Sequence, residues 1–263
     1  PAAVLALAWS LPLAASPAKD YHFPSVRTSI VIEPDGAFVV DEERVFDFRG
    51  RFSAAWIDIP VSDERRGARY EVAIEDFAVR DGDGTALPAE ITVSGGTFRG
   101  EWTFSAENEV RTFRLHYRVR GGIRSYPDVS ELYWQVIGDG WDRPTDEATV
   151  TVTLPRPAPR REDLLVYGHG PLSGWAEIVD PQTARFTATG LPPRQFMEIR
   201  FVWPAGMVQG IADSRLSRES IREEEAGFVR RTIEQARQAQ EGRARTRRHL
   251  LVAISLWAAG LVV

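Results

Sequence analysis

The alternation of apolar and polar residues from Ser25 to about Trp203 is the feature that most constrains the fold. Every second residue of a β-strand points to the same face, so this pattern is typical of a sheet with one buried and one exposed face. Strands buried on both faces would give continuous apolar runs, so the pattern favours antiparallel pairing. We expect His116 and Arg118 to lie opposite six buried residues: Phe113, Leu115, Tyr117, Val150, Val152 and Leu154.

Turn signals divide this alternating region into short strands. Glycines recur about every ten residues, as single residues or in pairs such as Gly95-Gly96 and Gly121-Gly122. This spacing is typical of a β-sandwich. Prolines at 155, 157 and 159 then interrupt the pattern, because proline is excluded from central strands. We predict an all-β fold: an antiparallel β-sandwich domain over residues 22–155 and a smaller β subdomain over 156–205, packed on it.

The sequence changes character after Gly210. Residues 213–249 contain no proline, and their apolar residues are compatible with one helical stripe. Ser217 and Ser220 offer a capping region; acids cluster early and arginines late, which suits the helix dipole. We predict a long, charged, amphipathic juxtamembrane helix over residues 211–249.

Two apolar segments lie at the ends of the sequence. The run Ala2–Ala15 ends in small residues of the kind that signal peptidases accept, so residues 1–16 are predicted to be a signal-peptide-like segment. Residues 250–263 are uncharged and mostly apolar, and we expect them to begin a transmembrane helix that is truncated here, since a full span needs about 20 residues. The alternatives are a buried strand or core helix for the first run and a buried helix for the second.

The predicted orientation in the membrane rests on conflicting signals. The signal-like segment predicts that the β domain is extracytoplasmic, at the cell membrane. Four arginines immediately before residue 250 predict the opposite, because arginine beside a membrane helix normally marks the cytoplasmic side; they are Arg243, Arg245, Arg247 and Arg248. We give the signal-like segment more weight, since long translocated domains weaken the arginine rule.

Composition excludes several kinds of site. The chain has no cysteine, and its four histidines show no ligand spacing, so no metal and no cofactor is expected. A net charge of −5, with the acids concentrated in the β region, argues against nucleic acid as a partner. Asp81–Thr85 resembles a calcium loop, but the distal acid is missing, and a tight hairpin turn explains the same residues.

Tryptophans provide the candidate binding residues. Flat indole rings on a sheet can stack on sugars or peptides, although filling the core is the plainer explanation. The densest aromatic segment is Glu131–Trp141, in which a Gly-Asp-Gly turn is surrounded by Tyr133, Trp134 and Trp141. We select Trp134, Asp139 and Trp141 as candidate ligand-binding residues and no residue as catalytic.

The same segment carries a family resemblance. Glu131–Trp141, followed by Pro144 and the strand Ala148–Leu154, resembles the bacterial membrane proteins of the domain-of-unknown-function 2207 family. An upstream block also matches, comprising Asp35-Gly36, Val40, Glu42, Glu43, Phe48, Gly50 and Ile57–Pro60. The resemblance covers residues 25–250 and implies a signal peptide, an extracytoplasmic β domain, membrane helices and a cytoplasmic tail. It implies no activity.

Two hypotheses for function follow. The first is a non-enzymatic binding or assembly module of the bacterial cell envelope. Its partners would be membrane lipid, through the C-terminal helix, and proteins along the juxtamembrane helix. The alternative is an envelope enzyme acting on glycan or peptide, which would need acids such as Glu131 and Asp139 beside an exposed aromatic ring.

Overall fold

The computed structural model describes residues 19–65, 68–234, 237–238 and 241. Eighteen strands lie in this part of the chain, followed by one helix. In chain order the strands are β1 (Asp20–Ile32), β2 (Phe38–Arg49), β3 (Arg51–Pro60), β4 (Ser62–Arg65), β5 (Ala68–Glu71), β6 (Ala73–Asp81), β7 (Ala86–Leu87), β8 (Ala89–Ser94), β9 (Thr97–Glu107), β10 (Val110–Arg120), β11 (Ile123–Ser125), β12 (Val129–Ile137), β13 (Thr145–Thr153), β14 (Leu165–His169), β15 (Trp175–Ile178), β16 (Thr183–Leu191), β17 (Met197–Pro204) and β18 (Ile211–Ala212).

The largest sheet has eight strands in the order β15-β16-β13-β1-β2-β10-β6-β7. Its pairings are antiparallel except one, because β1 runs parallel to β13 from Phe23↔Thr145 to Val31↔Thr153. The prediction of a purely antiparallel sheet is therefore wrong, and the sheet is mixed. Parallel neighbours need a long crossover, which the residues between Ile32 and Thr145 supply by forming other strands.

Two smaller sheets and a hairpin complete the β region. One sheet has the order β3-β9-β8, another has the order β14-β17-β12-β11-β18, and β4 pairs with β5. Aromatic contacts connect the eight-stranded sheet to both smaller sheets. Phe113 of β10 lies 4.7 Å from Phe104 of β9, and Phe38 of β2 meets Trp134 of β12 edge-on at 5.1 Å, measured between ring centroids.

The predicted strand faces are confirmed. All six residues expected in the core are at most 3% exposed, whereas His116 is exposed and Arg118 is half-buried on the opposite face. The apolar face of β10 and β13 therefore follows directly from the period of two in the sequence. The tight turn at Asp81–Thr85 is also confirmed: the Asp81 N–H donates to the Thr85 carbonyl at 2.8 Å, and Gly84 has a φ of 93°.

The described residues form two units. Residues 19–125 and 130–211 belong to the first, and residues 126–129 and those after 211 belong to the second. The predicted boundary between 155 and 156 stays a prediction, although β13 before it and β16 after it are neighbours in the eight-stranded sheet.

The helix belongs to the second unit. Helical residues begin at 218, later than the predicted start at 211, because residues 211–212 form β18. Ser217 and Ser220 form a reciprocal cap: the Ser220 N–H donates to Ser217 Oγ at 3.2 Å, and the Ser217 N–H donates to Ser220 Oγ at 2.7 Å. Ile221 is fully buried, whereas Val229 and Ile233 are 57% and 63% exposed.

The predicted membrane segments lie largely outside the residues that the structure describes. No helix in the described residues combines the length and apolarity that crossing a membrane requires. The signal-like segment 1–16, the apolar segment 250–263 and residues 242–249 of the predicted helix lie outside the described residues.

Candidate functional site

Trp134, the first candidate residue, lies in the core. Its side chain is 5% exposed, and its indole lies beside the hydroxyl of Tyr117. Burial, together with the nearby Glu42 carboxylate, raises the pKa of Tyr117. Trp134 therefore joins β12 to β10 and offers no face to a ligand.

Glu131, which the enzyme hypothesis required, is also buried. Its carboxylate accepts a hydrogen bond from Arg200 Nε at 2.6 Å, and the two side chains are 2% and 0% exposed. The Arg200 guanidinium lies 5.6 Å from the ring centre of Tyr133. Glu131 thus neutralises a buried cation, and solvent does not reach it.

Trp141, the third candidate, is half-buried and has a rigid support. Its ring lies 4.0 Å from the guanidinium carbon of Arg44 and 4.6 Å from the Phe23 ring, measured at the ring centroids. Arg44 is itself held by Glu42, with Nε donating to Oε1 at 2.6 Å. The backbone is fixed as well, because the Arg194 N–H donates to the Trp141 carbonyl at 2.7 Å.

Asp139 is exposed at the tip of the Gly138–Trp141 loop, beside an open cleft of about 530 Å³. The floor of the cleft is the outer face of the β3-β9-β8 sheet, and the loop forms a wall. The cleft is lined by Trp56, Asp58, Pro60, Thr92, Ser94, Thr97, Arg99, Gln135, Gly138, Asp139, Gly140 and Trp141. The fold therefore brings Asp139 and Trp141 to one cleft and leaves Trp134 in the core.

Trp56 is the exposed aromatic residue of this cleft. Its side chain on β3 is 52% exposed, and the Arg99 guanidinium lies 5.4 Å from its ring centre. Arg99 is fixed by two hydrogen bonds of 2.7 Å to the oxygens of Asp58, its cross-strand neighbour. The Asp58 carboxylate raises the pKa of Arg99, so the guanidinium stays charged.

The sequence interpretation did not select Trp56, although a signal was present. Ala55, Ile57 and Ile59 alternate with Trp56 and Asp58, and the former three face the core. The same period of two that identified buried residues on β10 would have placed Trp56 on the polar face beside Asp58.

A second concave surface, of about 810 Å³, lies on the outer face of the eight-stranded sheet. Four of its charged side chains form two pairs: Arg27 contacts Glu43 at 3.2 Å, and His116 contacts Asp41 at 2.7 Å. No group of three or more acids and histidines within the described residues has the arrangement of a metal site. The cleft beside Trp56 is therefore the better candidate site.

Comparison with known protein families assigns the chain to one of them. The model of the N-terminal domain of the DUF2207 predicted membrane proteins matches residues 23–203. The chain belongs to this family. The match confirms the resemblance seen in the sequence, and the family has no known function. No curated protein matches the chain.

Two solved structures illustrate a distant similarity to this DUF2207 protein. An M1 zinc metallopeptidase from Deinococcus radiodurans is 12% identical with a TM-score of 0.41, over 68% of this chain and 42% of that one. Leukotriene A4 hydrolase from Saccharomyces cerevisiae is 12% identical with a TM-score of 0.44, over 70% of this chain and 29% of that one. The chain thus spans less than half the length of either structure, and similarity at this level supports no inference about activity.

Proposed function

We propose that this chain is a non-enzymatic, membrane-anchored binding module of the bacterial cell envelope, built as an extracytoplasmic β-sandwich, and that it binds a glycan in the cleft beside Trp56. The observation that carries the proposal is the exposed indole of Trp56 next to the fixed Asp58–Arg99 pair. An indole face packs against the apolar face of a sugar ring, and a carboxylate–guanidinium pair can hydrogen-bond to hydroxyl groups at its edge.

The rigidity of the cleft supports binding. Trp56 and Arg99 lie on paired strands, and Trp141 is supported from below by Arg44. A site fixed before the ligand arrives loses less conformational entropy on binding than a flexible one. The loop that carries Asp139 closes one side of the cleft and supplies a polar group above the sheet.

The enzyme alternative finds less support. Of its two named acids, Glu131 is committed to Arg200 inside the core, and only Asp139 lines the cleft. The other acid of the cleft, Asp58, is engaged by both hydrogen bonds from Arg99. Glycan hydrolysis ordinarily uses two carboxyl groups in distinct acid and base roles.

The binding experiment titrates the purified chain with a hexamer of β-1,4-linked N-acetylglucosamine and follows tryptophan fluorescence and heat. We expect saturable binding that Trp56→Ala weakens about tenfold or more, corresponding to about 1.4 kcal/mol. Trp175→Ala is the matched control, because Trp175 is 68% exposed on β15 and does not line the cleft. Equal weakening by both substitutions, or no binding, would contradict the proposal.

Turnover and orientation are measured separately. Release of reducing ends from the same hexamer, abolished by Asp139→Asn, would establish the enzyme alternative instead.

Alkaline phosphatase fused after residue 205 in an expressing bacterium should be active if the β domain is extracytoplasmic. An inactive phosphatase with a fluorescent cytoplasmic reporter at the same position would reverse the orientation in favour of the arginines before residue 250.

A further inference from the structure

Strand β8 is an open edge of the β3-β9-β8 sheet. In the part of the chain that the structure describes, β8 pairs only with β9, and all six of its residues are exposed. Ile91 and Val93 are 53% and 64% exposed, although they share a face with the buried Ile57 and Ile59 of β3. A regular edge strand with exposed apolar residues is a template for pairing with another strand.

Other edges of these sheets carry features that discourage pairing. β7 and β18 have two residues each, and β15 has four. β3 contains a register shift between Phe52 and Ala54 and ends at Pro60. β14 includes Gly168 and is largely half-buried. β8 has no proline, glycine or lysine, and its one charged residue is Glu90.

The turn that follows β8 determines which backbone groups face outward. Gly95 and Gly96 have φ values of 57° and 77° and connect Ser94 directly to its partner Thr97, as in a two-residue hairpin. The residues flanking such a turn form a hydrogen-bonded pair, and hydrogen-bonded and non-hydrogen-bonded pairs then alternate. Thr92 and Ser94 therefore direct their backbone groups to β9, whereas Ile91 and Val93 direct theirs to the open edge.

We infer that β8 pairs with β8 of a second copy of this chain, antiparallel, with the two Thr92 residues opposite each other on the two-fold axis. In this register Ile91 faces Val93 of the second copy, so the outward backbone groups of both meet in hydrogen-bonded pairs. Thr92 faces Thr92 in a non-hydrogen-bonded pair, where side chains approach most closely and two threonines stabilise each other.

Charge repulsion favours the Thr92 register over the register that places Ile91 opposite Ile91. Here Glu90 lies opposite Ser94, and the two Glu90 carboxylates are four residues apart along the strand, or about 14 Å. Sliding the strands to place Ile91 opposite Ile91 would bring the carboxylates within two residues, about 7 Å, where like charges destabilise pairing. A two-fold axis requires a self-complementary surface, and β8 is self-complementary in the Thr92 register.

Pairing would have a consequence for the cleft. Thr92 and Ser94 line it, so the two clefts would lie on one continuous six-stranded face formed from both copies. The dimer does not depend on the proposed glycan. It rests on the edge strand alone, and either proposal can fail without the other.

The test uses single thiols, because the chain contains no cysteine. Thr92→Cys and its matched control Ser94→Cys both place an exposed thiol on the same face of β8. The full chain is purified in detergent at less than one chain per micelle, and disulfides are formed with copper phenanthroline. We expect most of the Thr92→Cys chain to migrate at twice the monomer mass and Ser94→Cys to remain monomeric, since Cα atoms of opposite non-hydrogen-bonded residues lie about 4.5 Å apart.

A further variant tests the strand itself. Adding Ile91→Lys to Thr92→Cys should abolish the cross-link while leaving the circular dichroism spectrum unchanged, because Ile91 is already exposed. Equal cross-linking of the Thr92 and Ser94 variants would indicate random collision and overturn the inference. Absence of the Thr92 cross-link, or its persistence with Ile91→Lys, would overturn it as well.

Discussion

The two faces of β2 carry the same kind of ion pair in opposite surroundings. Glu42 and Arg44 point inward, and their side chains are 1% and 2% exposed. Glu43, between them in sequence, points outward and contacts Arg27 at 3.2 Å, with side chains 35% and 60% exposed. Burial, more than distance, therefore decides how much such a pair contributes to stability: buried partners depend on each other, whereas water can replace an exposed partner.

The buried pair also supports the candidate site. The Arg44 guanidinium, which neutralises Glu42, also packs against the ring of Trp141. The same side chain therefore supports one wall of the cleft. The exposed pair has a further charged neighbour, Arg114, whose Nε lies 3.5 Å from Glu43. A third pair, Asp81 with Arg111, is intermediate, with side chains 17% and 22% exposed.

The largest expected effect is at the buried pair. Arg44→Met should lower the free energy of unfolding by about 3–5 kcal/mol, because it leaves the Glu42 carboxylate buried without its cation. Urea denaturation followed by circular dichroism measures the loss. The double substitution Glu42→Leu with Arg44→Met should recover most of it, since both charges are then gone. A loss below about 1 kcal/mol for the single variant would show that burial is not the deciding factor.

The intermediate pair, Asp81 with Arg111, should make the free energy of unfolding depend on pH. The hydrogen bond from Arg111 holds the pKa of Asp81 below its ordinary value, and burial opposes this only in part. The unfolded chain therefore takes up this proton at a higher pH than the folded chain. The stabilisation is complete above the ordinary aspartate pKa of about 4 and is lost as the pH falls through the lowered folded value.

Asp81→Asn measures this contribution. Urea denaturation at about pH 6 should find the variant less stable than the native chain, and the difference should shrink at about pH 3. Asp83→Asn, in the same turn, is the neighbouring comparison: the pKa of Asp83 is lowered chiefly by hydrogen bonding to Thr85 and least by Arg111, so its effect should have the same direction but depend little on Arg111. A stability difference that grows on acidification would mean that the folded pKa of Asp81 is raised, contrary to the expected direction.

The smallest effect is expected on the outer face. Glu43→Gln should change the free energy of unfolding by less than about 1 kcal/mol, because both of its arginine partners remain solvated. Addition of about 1 M salt should reduce even this difference, since the Debye length falls to about 3 Å. A loss as large as that of Arg44→Met would mean that the outer face contributes as much stability as the core.

The sequence predicted the strand faces well because a period of two is a local property. Phe113, Leu115 and Tyr117 are buried, and Ser217 and Ser220 cap the helix, as their spacing indicated. The lining of the candidate cleft was predicted only in part. Trp134 and Trp141 are equivalent in the aromatic signature, yet one lies in the core and the other beside the cleft.

Local sequence patterns specify which side of each strand is apolar and where turns interrupt the strands, and the aromatic signature identifies the family to which the chain belongs. The neighbours of each strand follow instead from long-range packing: β1 lies beside β13 in parallel, and Trp56 of β3 lies near the loop that carries Asp139. Alternation specifies the face that must be buried but not the partner that buries it. That choice depends on contacts between residues far apart in the chain, through backbone hydrogen bonds that carry little sequence information.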